Sequence, residues 1–432
     1  MRQVPSAMKN NSGFTLIELI ITMVLVIVVI MITGSAFESI LKNSGRIVSS
    51  EESNIEGVVG LEIFRHDLQQ MGFGLPFAFQ TAPQYPEATV APANLLNDGQ
   101  GVSTSGKVPR ALVSLNAVSG YSTGNTYNIL TGTDYLAIKA TTVGRNKTSQ
   151  KWTYLTYTSA TAGNIPHQWP NAADNLESTS MVIALDRTFS TTGLVTNTMV
   201  YNTATPTVYW ARYYPNDTLA DSAFNPTNSS QVYYLYGVDD SALGMPFNRA
   251  DYFVAIPSTT TSIPSTCAPG TGILYKANVN HADGRLTYYP LLDCVADMQV
   301  VFGWDVNGTG VIDESTAYSS NSSSISVSST IGTTAATIKT IMESAEEIRN
   351  KLKYIKVYIM AQEGRKDTSF VNTNNLAGGL TSVVVGEPGP NPPSNASLTR
   401  AYSVNNFTTL GWLNYRWKIY RIVVKPKNLG TY

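Results

Sequence analysis

Few residues in this chain have the types and spacing that chemistry needs. Among 432 residues there are three histidines, His66, His167 and His281, and there is no G-x-S-x-G elbow, no P-loop and no G-x-G-x-x-G after a strand. Nothing in the sequence points to an enzyme; a paired-carboxylate hydrolase is the one class that the residue content leaves open. The two cysteines, Cys267 and Cys294, lack C-x-x-C spacing and a set of histidine partners, so a zinc site is disfavoured. A disulfide or two buried thiols remain. In an exported chain a disulfide closing this loop contributes about 3 kcal/mol in the chain-entropy account.

One loop carries oxygen donors at metal-binding spacing. In Asp305-Val306-Asn307-Gly308-Thr309-Gly310-Val311-Ile312-Asp313-Glu314-Ser315-Thr316, side-chain oxygens fall at positions 1, 3, 5 and 9, and glycine at position 6. Val311 offers its carbonyl at position 7. This follows the first part of an EF-hand calcium loop. Position 12 departs from it, because Thr316 stands where a bidentate Glu closes the shell, with Glu314 as the nearest substitute. Asp305, Asn307, Thr309, Val311 and Asp313 are therefore a candidate calcium set of modest affinity. A glycine-rich turn joining two strands is the alternative.

The third feature is a carboxylate in apolar surroundings. From Leu19 to Ile32 every residue except Thr22 is apolar, and Phe14 to Thr33 is long enough to cross a hydrocarbon core of about 30 Å. Glu18 near its start costs about 2 to 3 kcal/mol on insertion scales unless it snorkels to the interface or meets a cation. Arg2 and Lys9 precede the span with no acidic residue, which places the N-terminus in the cytoplasm. Thr33-Gly34-Ser35-Ala36 supplies a site for secretory cleavage after the span; cleavage before it is the competing reading.

Gly13-Phe14-Thr15-Leu16-Ile17-Glu18-Leu19 resembles the signal of type IV prepilins: a short basic leader ending in glycine, then Phe, with Glu as fifth residue of the mature chain. The resemblance implies that a prepilin peptidase cuts after Gly13 and methylates Phe14, removing residues 1–13, or Met8 to Gly13 if translation starts at Met8. It also implies that Glu18 meets the α-amine of Phe14 on a neighbouring subunit. Phe64 to Gly72, Cys294 to Gly310, Ile348 to Arg365 and Tyr415 to Asn428 are similar to PilW-type minor pilins, over less than half of the chain. Thr309 replaces the usual Asp of that group's D-x-N-G-D-G turn.

What this implies is a non-catalytic subunit that joins other minor pilins and the major pilin, primes filament assembly and stays at the tip, where it presents a tip adhesin. It would sit in the inner membrane as a single-pass protein and then in the extracellular pilus. A J-like minor pseudopilin of a type II secretion system, and an adhesive tip module whose Tyr and Trp residues contact a surface or glycan, are the alternatives.

The elements that must position these residues follow from composition and period. Charged residues make up 14%, there are 24 tyrosines, and the net charge is −1, which suits a secreted β-rich chain and gives no field to gather nucleic acid. No proline occurs between Pro5 and Pro76. Val58, Leu61, Phe64, Leu68 and Met71 form an apolar stripe with Asp67 off it, so one helix is predicted from Phe14 to Met71, about 85 Å long, ended by Gly72 and Gly74. Its glycines mark bends, close contacts in a filament, or tolerated positions.

The expected fold is α+β and type IV pilin-like, with a long N-terminal hydrophobic α-helix packed on a large antiparallel β-rich C-terminal domain. Residues 14–34 are its transmembrane and filament-core half, 35–75 its amphipathic half, and 76–432 an extracytoplasmic globular domain with an insertion at about 77–260. Strands are predicted at Asp134 to Lys139, Met181 to Leu185, Thr207 to Tyr213 and Gln231 to Tyr236. An exposed loop follows from Ser315 to Thr337, then a helix from Ile338 to Asn350. The period-two segments Lys351 to Gln362 and Tyr415 to Lys425 read as antiparallel partners, separated by a second loop, Asn372 to Ser397.

Overall fold

An unbroken run of helix-compatible residues builds α1, Leu16–Gln70. Inside the apolar stretch the hydroxyls of Thr22, Thr33 and Ser35 donate back to carbonyls three or four residues earlier, so these hydroxyls are satisfied within the helix. Gly72 at φ 79° turns the chain out of the helix. The last carbonyls find donors far away in sequence: Lys427 N–H to Gln69 O at 3.1 Å and Asn428 Nδ2 to Gln70 O at 3.2 Å.

A computed structural model describes residues 15–79, 83–98, 107–123, 127–159, 164–189, 195–258, 263–372, 382–387 and 398–429, with backbone alone at 39, 41–43, 45–56, 123, 189, 195, 382 and 404. It divides into two compact units, Met1–Ser53 and Asn54–Tyr432.

In the second unit the buried face of α1 is set by Gly57, Gly60, Leu61, Phe64, Leu68 and Met71. Two expectations are corrected here. Val58 is 63% exposed, because the face is rotated toward the small residues Gly57 and Gly60. A Cβ on Gly60 would lie 2.1 Å from the carbonyl oxygen of Leu291, so this glycine permits helix and strand to touch within the domain. Asp67 is fully buried rather than solvated. Phe64 stacks on Tyr252 at 4.0 Å.

The sheet under α1 has eleven strands. Its centre runs Asp313–Thr316, Leu286–Trp304, Gly272–Val279, Asn248–Pro257 and Tyr135–Ala140, all antiparallel, with Leu352–Glu363 also paired to Leu286–Trp304 and Arg416–Val424 beyond it. The expected pairing of the last two long strands is present, with Ile355 opposite Val424 and Glu363 opposite Arg416. Tyr420, Ile422 and Val424 point to the core and Ile419, Arg421 and Val423 outward. Strands from residues 77–260 are woven into this sheet; others form a six-stranded sheet that includes Trp152–Thr156, Met181–Phe189 and Val232–Asp239, and the helix side of the large sheet and its opposite side carry separate apolar cores.

Four boundaries differ from expectation. Residues 315–337 are not one loop: the strand Asp313–Thr316 pairs with Val327–Ser328, and α2, Ala335–Glu343, begins within them. The helix expected from Ile338 is split, because Ser344 adopts φ −112°, ψ 125° and caps a second helix, α3, Ala345–Lys351. Beyond Asn372 itself, the described part of the loop expected from Asn372 to Ser397 is a strand, Ser382–Glu387, paired with Leu398–Ser403, which leads into α4, Val404–Leu410; this small sheet buries Tyr358 and Met360 of Leu352–Glu363. Only Ala211–Arg212 of the strand read at Thr207 to Tyr213 is extended.

Candidate processing segment and metal loop

Leu16 to Glu38 is long and apolar enough to cross a membrane, and none of it is buried within the chain. Gly13 and Phe14 lie outside the described residues. Thr15 opens the helix as its cap: the Glu18 carboxylate oxygen Oε2 accepts from the Thr15 N–H at 3.0 Å and the Thr15 hydroxyl at 2.9 Å, while the Glu18 N–H reaches the Thr15 hydroxyl oxygen at 3.4 Å. This reciprocal arrangement is a capping box, in the T-x-x-E spacing that the sequence displays. Glu18 thus has a local hydrogen-bonding role, and among the described residues it has no ion-pair partner.

The oxygen-rich loop joins Leu286–Trp304 to Asp313–Thr316, with Trp304 directly opposite Asp313. Its start and end are therefore adjacent. Gly310 N–H donates to Asp305 Oδ2 at 3.2 Å, and the N–H and hydroxyl of Thr309 donate to Asn307 Oδ1 at 3.2 and 2.6 Å. The Thr333 hydroxyl donates to Asp313 Oδ2. Gly308 and Gly310 carry positive φ, 74° and 81°. Glu314 does not serve as the expected substitute ligand: its Oε1 accepts from Tyr354 OH at 2.7 Å and Lys356 Nζ at 2.6 Å. Thr316 is held in the ladder opposite Val301, and its hydroxyl oxygen accepts from Ser326 N–H. Among the described residues no three His, Cys, Asp or Glu gather as a metal cluster.

With this geometry in view, comparison with known proteins concentrates on the N-terminus. Residues 8–34 match the prokaryotic N-terminal methylation motif. The motif supports a type IV pilin-like or pseudopilin-type protein and processing by a prepilin peptidase. The exposed apolar helix fits membrane anchoring of such a protein. No curated protein and no solved structure matches the chain.

Beyond the methylation segment, Cys267 and Cys294 are joined as a disulfide, tying the segment before Gly272–Val279 to the strand beside it. Sequence reasoning missed the buried charges. Lys139 Nζ lies 2.8 Å from Glu87 Oε2 and 2.7 Å from Asp98 Oδ2, all three side chains almost wholly enclosed. Arg249 reaches Glu87 at 3.1 Å and Asp251 at 2.7 Å, and Arg110 holds Asp98 at 2.6 Å. Burial opposes the Arg249 charge, but Asp251 and Glu87 hold its pKa above the ordinary value. Burial also pushes Asp134 up to about 7, against the N–H groups of Ala117 and Val300 that it accepts. The available signal was a charge inside an apolar strand, as in Tyr-Leu-Ala-Ile-Lys-Ala at 135–140. Elsewhere, Trp152, Tyr154, His167 and Trp169 contact one another at the Trp152–Thr156 edge strand.

Proposed function

We propose that this chain is a PilW-type minor pilin, a non-catalytic subunit that a prepilin peptidase processes between Gly13 and Phe14. It waits in the inner membrane, then joins other minor pilins and the major pilin at the filament tip to prime assembly and present a tip adhesin. The observation that carries this reading is the methylation motif on an apolar segment none of which is buried, in which Glu18 has Oε2 occupied by Thr15 and, among the described residues, no ion-pair partner. An apolar surface of this size needs lipid or neighbouring helices to cover it. In that low-dielectric setting, the methylated amine that cleavage creates at Phe14 of an adjacent subunit is a cation of the right sign for Glu18.

Glu18→Ala tests this. Membrane insertion and cleavage after Gly13 should be unchanged, while recovery of the subunit in sheared surface filaments should fall at least about tenfold, and filament number with it. Normal incorporation and normal filament number would refute the reading. Loss confined to exoprotein secretion, with surface filaments intact, would assign the chain to a secretion pseudopilus instead.

A further inference from the structure

We propose that the loop from Asp305 to Asp313 is a calcium site, with the two aspartates as its charged ligands. Each of these carboxylates has one oxygen engaged and one bare. Asp305 is 8% exposed and Asp313 0%, and the Oδ1 atom of each is buried with no hydrogen-bond partner. Asp305 Oδ2 faces the loop through Gly310 N–H, and Asp313 Oδ2 takes the Thr333 hydroxyl. Because Trp304 pairs with Asp313, the backbone at 305 and at 313 comes together at the mouth of the loop. A buried carboxylate oxygen with neither donor nor cation is strongly unfavourable, and two at the ends of one turn call for a shared positive charge.

The basic side chains nearby do not supply it. Lys351 pairs with Glu347 at 2.5 Å, Arg349 lies over the Phe77 ring at 4.0 Å, Lys353 donates to Asn350 O at 3.3 Å, and Lys356 is bound to Glu314. Asn350 Oδ1, on the groove that Asp305 also lines, is a further buried oxygen without a partner. The other oxygens at this turn are the Val311 carbonyl and Asn307 Oδ1, which a bound ion would share with the N–H and hydroxyl of Thr309; both are hard oxygens. Calcium accepts six to eight such ligands in flexible geometry, whereas magnesium demands a near-ideal octahedron. With Glu314 and Thr316 committed elsewhere, no bidentate ligand closes the shell. The affinity should therefore lie in the range of extracellular modules, Kd on the order of 0.1 to 1 mM. This inference stands whether or not the chain enters a filament.

The test uses the full chain in detergent micelles, stripped with EDTA and then titrated with calcium chloride, read by equilibrium dialysis of radioactive calcium and by thermal melting. One ion should bind per chain, with a Tm rise of about 2–5 °C at 10 mM calcium and none with 10 mM magnesium. Asp305→Asn and Asp313→Asn should each weaken binding at least about tenfold, and their calcium-free Tm should equal or exceed that of the parent. Glu314→Gln should leave binding unchanged. Absence of saturable binding below 10 mM, or undiminished binding in both Asn variants, overturns the proposal. So does a calcium-free Tm that falls in both variants, since the carboxylates would then serve the fold itself.

Discussion

Asp67 on α1 and Lys276 on Gly272–Val279 form a buried ion pair, Oδ2 to Nζ 2.5 Å, with side chains 1% and 5% exposed. Tyr252 OH donates to the same oxygen at 2.6 Å, and Arg145 Nε reaches Oδ1 at 3.2 Å. Burial drives the Asp67 pKa up, but His66, Lys276 and Tyr252 together hold it below the usual carboxylate range. The pair ties the outer part of the helix to the sheet.

Removing the anion should therefore cost more than removing one cation. Asp67→Ala leaves Lys276 buried and unpaired and should destabilise by about 3–5 kcal/mol. Lys276→Met, with Arg145 still beside the carboxylate, should cost about 1–3 kcal/mol. Asp67→Leu combined with Lys276→Met should recover most of the first loss. Urea unfolding followed by tryptophan fluorescence measures this; strictly additive losses in the double variant would refute the coupling.

Two glycines of the same helix should respond oppositely. Gly60→Ala gains helix propensity but drives a Cβ into the Leu291 carbonyl, so a net loss of about 1–3 kcal/mol is expected. Gly34 has nothing within 4 Å of the corresponding position, so Gly34→Ala should be neutral or raise helix stability by up to about 1 kcal/mol. Thermal melting and helix content by circular dichroism distinguish them.

His281 gives the fold an acid-sensitive point. Its Nδ1 faces the N–H groups of Gly244 and Met245 at 3.2 and 3.4 Å, and burial lowers its pKa to about 4. The unfolded chain, with an ordinary histidine, then binds more protons between about pH 6.5 and 4 than the folded one does, so stability must fall as pH falls through that window. The full contribution is about 3 kcal/mol. Unfolding free energies at pH 7.5 and 4.5 should differ less in His281→Gln than in the parent; an identical difference would exclude the histidine as the cause.

The disulfide between Cys267 and Cys294 should contribute about 2–4 kcal/mol through loop closure. Cys267→Ala paired with Cys294→Ala should lower Tm by several degrees, and reductant should lower the parent's Tm while leaving the double variant's unchanged.

Much of the architecture was legible because it repeats locally. Alternation along Leu352–Glu363 and Arg416–Val424 announced two strands, and their observed register joins them as neighbours. The split at Ser344 was harder to read: a serine mid-helix is tolerated by propensity, and only its cap geometry shows that one helix ends and another begins there. The strand Ser382–Glu387 was hidden in a segment dominated by Gly, Asn and Pro, since its partner Leu398–Ser403 lies across a long connection.

The apolar span, the T-x-x-E capping spacing at its start and the order of oxygen donors from Asp305 to Asp313 are written in the chain itself, because each is a matter of near neighbours. That Asp67, Lys139 and Arg249 are enclosed, that Gly60 touches Leu291, and that Asp305 and Asp313 each keep a bare oxygen emerges from the packing of distant segments. A charge is buried or solvated according to partners supplied by other strands, and no local pattern encodes where those strands will come to lie.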